Sequence, residues 1–445
     1  MDNTSCAQVP DAVDPCPQVS SARHHSRHEP LGTWGISIEA NPAVGTQSTE
    51  TPTRTVNFAL LWAGQFVSQM GDRLAMVAFP WLVYKSTGSA VSTGGIFALY
   101  TLPYVLFGAF AGVLIDRFNK RTVMVVADVL RFGLVLLVPW AAQWSLPAVY
   151  VLSFLMASAA VFFDPSKLAI VPDIVPRDKL MRANSLLSTG ENLTEVVGYG
   201  LAGITLSQVS TTTAFRIDGA TFLVSAVALI AMRYRAPLRE AAERVGESFW
   251  SELREGMRYL EGHQGLRANT VITLAAAAGA GASYPLTFML AVRVLNGGTQ
   301  AFGLFEGALG LGYLAGSVVL VVLARRVPKG IAMTAGFAAT GAGISLVGVC
   351  PSVWTAAIPF LAIGMANAVA LIAVDTYLQE VVPERLRGRV WGTRFTLTQG
   401  TYAISVLAGG ALAGVFDVRA LFIVSGVLIA LPAIAGLFVR EIREA

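Results

Sequence analysis

Gly112-Val-Leu-Ile-Asp116-Arg117-Phe-Asn-Lys120-Arg121 sets one acid and three bases in a short polar break. A long apolar run from Gly94 to Phe110 leads into it, and another resumes at Val123. A soluble core does not produce a tight charged loop between two membrane-length segments. The composition agrees: of 445 residues 54% are apolar and 13% charged, about half the charged share of soluble domains.

The apolar material is cut into runs of about 20 residues, enough to cross a bilayer as helix. Twelve runs are predicted, roughly 57–84, 93–115, 122–141, 147–163, 183–206, 216–233, 269–292, 302–324, 330–350, 354–377, 391–414 and 419–439. Backbone groups in lipid must be satisfied within their own segment, so helices are expected and short alternating barrel strands are not. The fold class is therefore an all-α membrane protein of two six-helix bundles. With the first loop placed outside, the inward loops and C-terminus collect about 22 Lys and Arg. The outward loops hold only Lys85, Arg216, Arg293 and Arg419. The positive-inside rule then predicts a multi-pass protein of the cytoplasmic membrane with both termini cytoplasmic. The net charge of +4 is a topology signal, and no nucleic-acid partner is expected.

Residues 1–55 read as a disordered cytoplasmic tail, polar and rich in Ser, Thr and Pro, without a signal-peptide run. Cys6, Cys16, His24, His25 and His28 lie there in no zinc spacing, so neither metal nor cofactor is predicted. Residues 56–233 form the first predicted bundle, 234–267 a cytoplasmic linker, 268–440 the second bundle and 441–445 the C-terminus. Within the linker Phe249, Leu253, Met257 and Leu260 recur at helical spacing opposite Glu252, Arg254, Glu255 and Arg258. Such a helix either lies on the membrane surface or packs on the protein's own inner loops. The halves echo each other at an offset of about 208, Gly95-Ile-Phe with Gly303-Leu-Phe and Val175-Pro176 with Val382-Pro383. Parallel repeats place a substrate site between the halves.

The opening stretch resembles the loop between helices 2 and 3 of the major facilitator superfamily. Three further stretches resemble the branch of macrolide-efflux proteins and enterobactin exporters. They are Phe58-Ala-Leu-Leu-Trp62-Ala-Gly64-Gln65, Phe163-Asp-Pro165-Ser-Lys167 and Gln379-Glu-Val-Val-Pro383-Glu-Arg-Leu-Arg387-Gly388-Arg389. The resemblance covers about residues 57–440 and implies a secondary transporter. It carries a gating motif to Gly112, Asp116, Arg117, Lys120, Arg121, Arg387, Gly388 and Arg389. Asp116 is expected to latch the inner gate at a helix end with partial positive charge, and the bases to meet lipid headgroups or partner carboxylates. The chain departs from proton-antiporting drug exporters in two places. Segment 4 has no Arg between Val149 and Phe163, and segment 5 reads Gly198-Tyr-Gly200-Leu-Ala-Gly203, with Tyr199 where a Pro usually stands. The three glycines still suit close helix packing.

Ionisable residues inside the membrane are costly and mark ion or substrate paths. Glu191 and Glu195 stand one helical turn apart, and two carboxylates so placed in a poorly hydrated cavity cannot both ionise cheaply. They are the first candidates for proton coupling. Asp72 and Arg73 at mid-depth, and Arg394 at the start of segment 11, are the others for protons or substrate. Asp128 and Arg131, three apart, are expected to pair with each other. Glu306 reads as a charge near an outer helix end, able to snorkel.

No Gly-x4-Gly-Lys-Ser/Thr loop is present, which argues against ATP-driven export, and no catalytic constellation marks an enzyme. The expectation is a monomeric secondary exporter of a small hydrophobic drug, antibiotic or secondary metabolite, driven by protons. A siderophore exporter of the same fold is the alternative, favoured by a basic cavity at Arg73 and Arg394. A non-transporting sensor would instead show a cavity plugged by apolar side chains.

Overall fold

Each charged break in the sequence ends one helix and starts the next. The structure, a computed structural model, describes residues 50–234, 249–323 and 327–443, and these hold fifteen α-helices and no strand. The first half comprises α1 (Glu50–Thr87), α2 (Ala90–Arg117), α3 (Lys120–Trp144), α4 (Leu146–Ile174), α5 (Leu180–Leu193), α6 (Tyr199–Gln208) and α7 (Thr211–Ala231). A π-helical turn, Thr194–Gly198, joins α5 to α6. After α8 (Phe249–Gly262) come α9 (Gln264–Met289), α10 (Gly298–Leu323), α11 (Lys329–Val347), α12 (Val353–Val381), α13 (Glu384–Leu412), α14 (Val418–Gly436) and α15 (Arg440–Arg443). Cys6, Cys16, His24, His25, His28 and nearly all of the predicted tail lie outside the described residues.

Local chemistry sets the helix starts. The Asn119 side chain accepts from the Arg121 and Thr122 amides at 3.0 and 3.4 Å and so caps α3. Ser210 caps α7, Ser352 forms a capping box on α12 and Asp417 caps α14. Each satisfies amides that a helix start leaves open. Prolines stand inside α1, α2, α3, α4, α9, α12 and α14, which helices in membranes tolerate because neighbours re-satisfy the freed groups.

Among the described residues, nine helices are long and apolar enough to cross a membrane. The other predicted spans are α1, α5 with α6, and α13, helical but charged where they face protein or cavity. Large apolar side chains such as Val151, Val227, Ile358, Ile404 and Leu431 point outward, as lipid contact requires. Trp140, Trp144 and Trp354 are exposed near helix ends, where aromatic belts form.

Packing follows the repeat. In the first half α1 packs on α7, α3 on α4 and α7, and α2 on α4; in the second α10 and α11 pack on α12, and α9 on α13 and α14. The faces of the molecule are distinct. On the basic face, which carries the start of α1, Lys120 of α3 meets Asp173 of α4 at 2.7 Å, and its counterpart Lys329 of α11 meets Glu380 of α12. Arg121 donates to the Leu229 carbonyl at 2.7 Å and to that of Ile230, closing the last turn of α7. Lys120 and Arg121 thus bind protein groups here, while the side chains of Gly112, Asp116 and Arg117 lie outside the described residues.

The halves meet across two seams, α2 with α13 and α6 with α10. At the far face Gly94 and Gly410 bring α2 and α13 together with no space for a Cβ on either. Gly203 meets Gly303 and the Thr299 backbone in the same manner, so small residues allow backbone approach. Between the seams Phe97 packs edge-on against Tyr284 (centroids 4.8 Å) and Phe288 (6.2 Å), and Phe302 lies 5.4 Å from Phe288. Tyr84 and Tyr199 complete this aromatic plug. Each such pair contributes about 0.5–1.5 kcal/mol beyond burial. The far side is closed.

The α8 helix lies against the second half. It packs on α13, with Gly256 against Arg389 and Thr393, Glu255 paired to Arg389, and Leu260 buried. Of its apolar stripe Leu260 is buried against the protein and Leu253 and Met257 are half-buried, while the side chains of Phe249 and Glu252 lie outside the described residues.

Candidate functional site

A cavity of about 650 Å³ lies on the basic-face side of the aromatic plug. Its walls come from α1, α2, α3, α4, α5, the π turn and α10. Four acids (Asp72, Asp164, Glu191, Glu195) and three bases (Arg73, Arg131, Lys167) line it, with Tyr100, Tyr104, Tyr313, Met76, Met156 and Phe163 between them.

The short pairs among these charges run across helices, while Lys167 also stands 3.9 Å from Asp164 on its own helix. Arg73 of α1 meets Glu195 of the π turn at 2.7 Å, and Lys167 of α4 meets Glu191 of α5 at 2.7 Å. Glu191 and Glu195 therefore face different cations rather than one another. The π turn contributes to this: it inserts one extra residue into the ladder, and Thr194 anchors it by bonding Gln69 of α1 at 3.1 Å. Gly198 lies against the stem of Arg73, and the Tyr199 ring stands 5.2 Å from its guanidinium carbon. A proline at position 199 would lose that cation–π contact. Gly203 belongs to the far seam, while Gly200 has open space beside it.

Arg131 does not pair with Asp128 as its spacing suggested. It reaches across to Asp72 of α1 and stacks over Phe222 of α7 at 4.1 Å. Asp128 is wholly buried, as is Asp218 of α7, an acid that the sequence reading passed over. It stands two residues into the predicted run 216–233. The one available signal was its place inside an apolar helix, the rule that had singled out Asp72. Asp164 and Lys167 were also missed as cavity residues, because α4 runs eleven residues past the predicted end at 163. Tyr104 donates to Asp164 at 3.1 Å. Glu306 is buried, not snorkelling, in a wall with Tyr199 and Tyr284.

The remaining candidates lie elsewhere. Arg394 is buried away from the cavity and donates to Thr273 at 2.8 Å. Arg387 donates to the Gln379 carbonyl at 2.7 Å, closing the end of α12. Gly388 and Arg389 line a second cleft of about 230 Å³ between α2 and α13, together with Leu253 of the linker helix.

Comparison with known proteins gives the arrangement its family. A model described as transmembrane secretion effector matches residues 47–444. The chain belongs to this family of major facilitator transporters. The multidrug efflux pump Tap of Mycolicibacterium fortuitum is 24% identical over 409 residues, spanning 90% of this chain and 98% of its own. Macrolide efflux protein A of Streptococcus pyogenes is 24% identical over 415 residues, 87% of this chain and 97% of its own. Among solved structures, a point mutant of the nucleoside transporter NupG superposes with a TM-score of 0.72 at 11% identity, covering 86% of this chain and 99% of that one. An inward-facing bacterial homologue of the iron transporter ferroportin does so at 0.68 and 17%, covering 86% and 98%. Both share the fold. The chain is a multi-pass transporter of the cell membrane for small molecules, and not an enzyme.

Proposed function

We propose that the chain exports small hydrophobic, neutral or cationic molecules by alternating access, driven by proton entry. The observation that carries this is the charge-lined cavity walled by the first half and by α10 of the second, on the basic-face side of a far face sealed by Phe97, Tyr284, Phe288 and Phe302. With the basic face in the cytoplasm, the orientation that the distribution of Lys and Arg supports, this is the state that loads substrate from inside. The two halves, 56–233 and 268–440, then rock about the cavity, joined by the linker 234–267.

The lining favours one substrate chemistry over the other. Acids outnumber bases by one, and Arg73 and Lys167 already hold carboxylate partners. Arg394 does not reach the cavity. The basic pocket that an anionic siderophore calls for is therefore not supported, whereas aromatic, thioether and carboxylate groups suit an amphiphilic amine. Two relatives are a macrolide and a multidrug pump, which supports the same class. An open cavity also speaks against a plugged sensor.

Asp116 latches the inner gate in the opposite, outward-facing state, and the neighbouring bases hold the loop. Proteoliposomes holding the purified protein, given erythromycin and an imposed proton gradient, test both points. Wild type should accumulate the macrolide uphill, and Asp116→Asn should bind it but turn over at a small fraction of the rate. Normal transport by Asp116→Asn would remove the latch. Absence of any gradient-driven movement of erythromycin in wild type would remove the proton-coupled export of this substrate.

A further inference from the structure

Behind the cavity wall, α1, α3 and α7 enclose an unusual set of charges. Asp72 of α1 lies at the wall, paired with Arg131 of α3. Asp128 of α3 and Asp218 of α7 are each 0% exposed. Among the described residues, neither carboxyl oxygen of Asp128 or Asp218 has a hydrogen-bond partner in good geometry, although the hydroxyls of Ser225 and Thr221 lie beside them. Thr221 donates instead to the Asp218 carbonyl at 2.7 Å, and Ser225 accepts from Gln65 of α1 at 3.2 Å. Asp218 Oδ1 occupies the space beside Gly71, the residue before Asp72, where a Cβ would otherwise stand. The Arg131 Nε is likewise buried and without an acceptor.

The other titratable groups around this set do not balance it. Tyr100 of α2 faces it from the cavity wall and brings no positive charge. Arg73 is turned to Glu195, and on α4 Lys167 is turned to Glu191 beside Asp164. Three carboxyl groups thus share one guanidinium inside the membrane. Were all ionised, two negative charges would stand without a balancing cation in a buried site, the arrangement that such sites avoid by keeping a proton.

We propose that Asp128 and Asp218 are the proton-carrying acids of the transport cycle, with Arg131 linking their charge to Asp72 at the cavity wall. The inference rests on the exporter reading for its cycle, but not for the protonation it assigns. In the state seen here both acids are neutral and Arg131 belongs to Asp72. When one releases its proton to cavity water, the carboxylate left behind competes with Asp72 for Arg131. Asp72 is then freed toward the cavity, where a cationic substrate takes the place of the guanidinium. Proton and substrate thereby exchange without direct contact. The helix-five acids Glu191 and Glu195 act in this scheme on substrate and gating through Lys167 and Arg73.

Infrared difference spectroscopy of the purified full-length protein tests the assignment without substrate. Wild type at neutral pH should show protonated-carboxyl C=O bands that diminish in Asp128→Asn and in Asp218→Asn and survive in Glu191→Gln with Glu195→Gln. Asparagine matches a neutral acid in shape and charge, so both variants should remain monodisperse with thermal stability near wild type. In proteoliposomes they should exchange erythromycin down its gradient while losing accumulation driven by a proton gradient. Bands unchanged in both Asn variants would overturn the proposal, as would full uphill accumulation by the double variant. Collapse of both variants during purification would also overturn it, because an amide replaces a neutral acid but not a charged partner of Arg131. If wild type moves no erythromycin under any gradient, the export reading falls, and the infrared bands still decide the protonation.

Discussion

Replacing Gly410 by Ala should push the transporter out of the state described here. A Cβ at position 410 would fall 2.6 Å from the Gly94 Cα and 3.3 Å from its carbonyl carbon. Carbon atoms in comfortable contact stand about 3.5–4.0 Å apart, so α2 and α13 must separate by about 1 Å at the far face. Both neighbours are backbone and cannot swing aside. Overpacking of this kind costs about 1–3 kcal/mol, and it falls only on the conformation in which the two glycines meet. Every 1.4 kcal/mol is about tenfold in population, so the far-closed state should lose about 5- to 150-fold against the far-open one. Spin labels at the exposed Ser86 and Val415, beside these helix ends, would read the change by double electron–electron resonance in nanodiscs. Wild type should show a dominant short distance and Gly410→Ala a dominant longer one. Gly400→Ala, on the same helix with nothing within 4 Å of its Cβ, should leave the distribution untouched. An unchanged distribution in Gly410→Ala would refute the argument that this seam closes and opens during transport.

Asp72→Asn should lower stability by about 3 kcal/mol, the low end for breaking a buried pair because this carboxyl reaches the cavity. Thermal melting in detergent should show the loss, and Asp72→Asn with Arg131→Gln should recover part of it; no recovery would mean that the pair is not the cause. Orientation is tested by single cysteines at Ser145 and Asp178, both exposed and at opposite faces, in a cysteine-free background. Impermeant maleimide on intact cells should label the first and spare the second, and the reverse pattern would place the basic face outside.

Much of this molecule is written along the chain. Membrane-length apolar runs, charged breaks and the bias of Lys and Arg need only local composition, since lipid forces each segment to satisfy its own backbone. The charged stretches at 112–121 and 387–389 stood out for the same reason. Their chemistry is concentrated within a few residues. Asp72, Arg73, Glu191 and Glu195 could also be chosen from sequence, because an ionisable residue in an apolar segment stands out wherever the helix ends up.

Partnership was another matter. Sequence spacing offered Asp128 to Arg131 and Glu191 to Glu195, since residues three or four apart share a helix face. The fold instead gave Arg131 to Asp72, Arg73 to Glu195 and Lys167 to Glu191, each across two helices. Helix-to-helix geometry fixes those pairs, and no period in one strand of sequence encodes it. The same holds for Asp218, ordinary beside Arg216 in the sequence and sealed from water only once α1 and α3 close over it. Sequence decided that the chain enters the membrane and, to within a turn or two, where its helices begin. Tertiary structure decided which charges meet and which are left alone, because in a low-dielectric interior the energy of a charge is set by its neighbours in space.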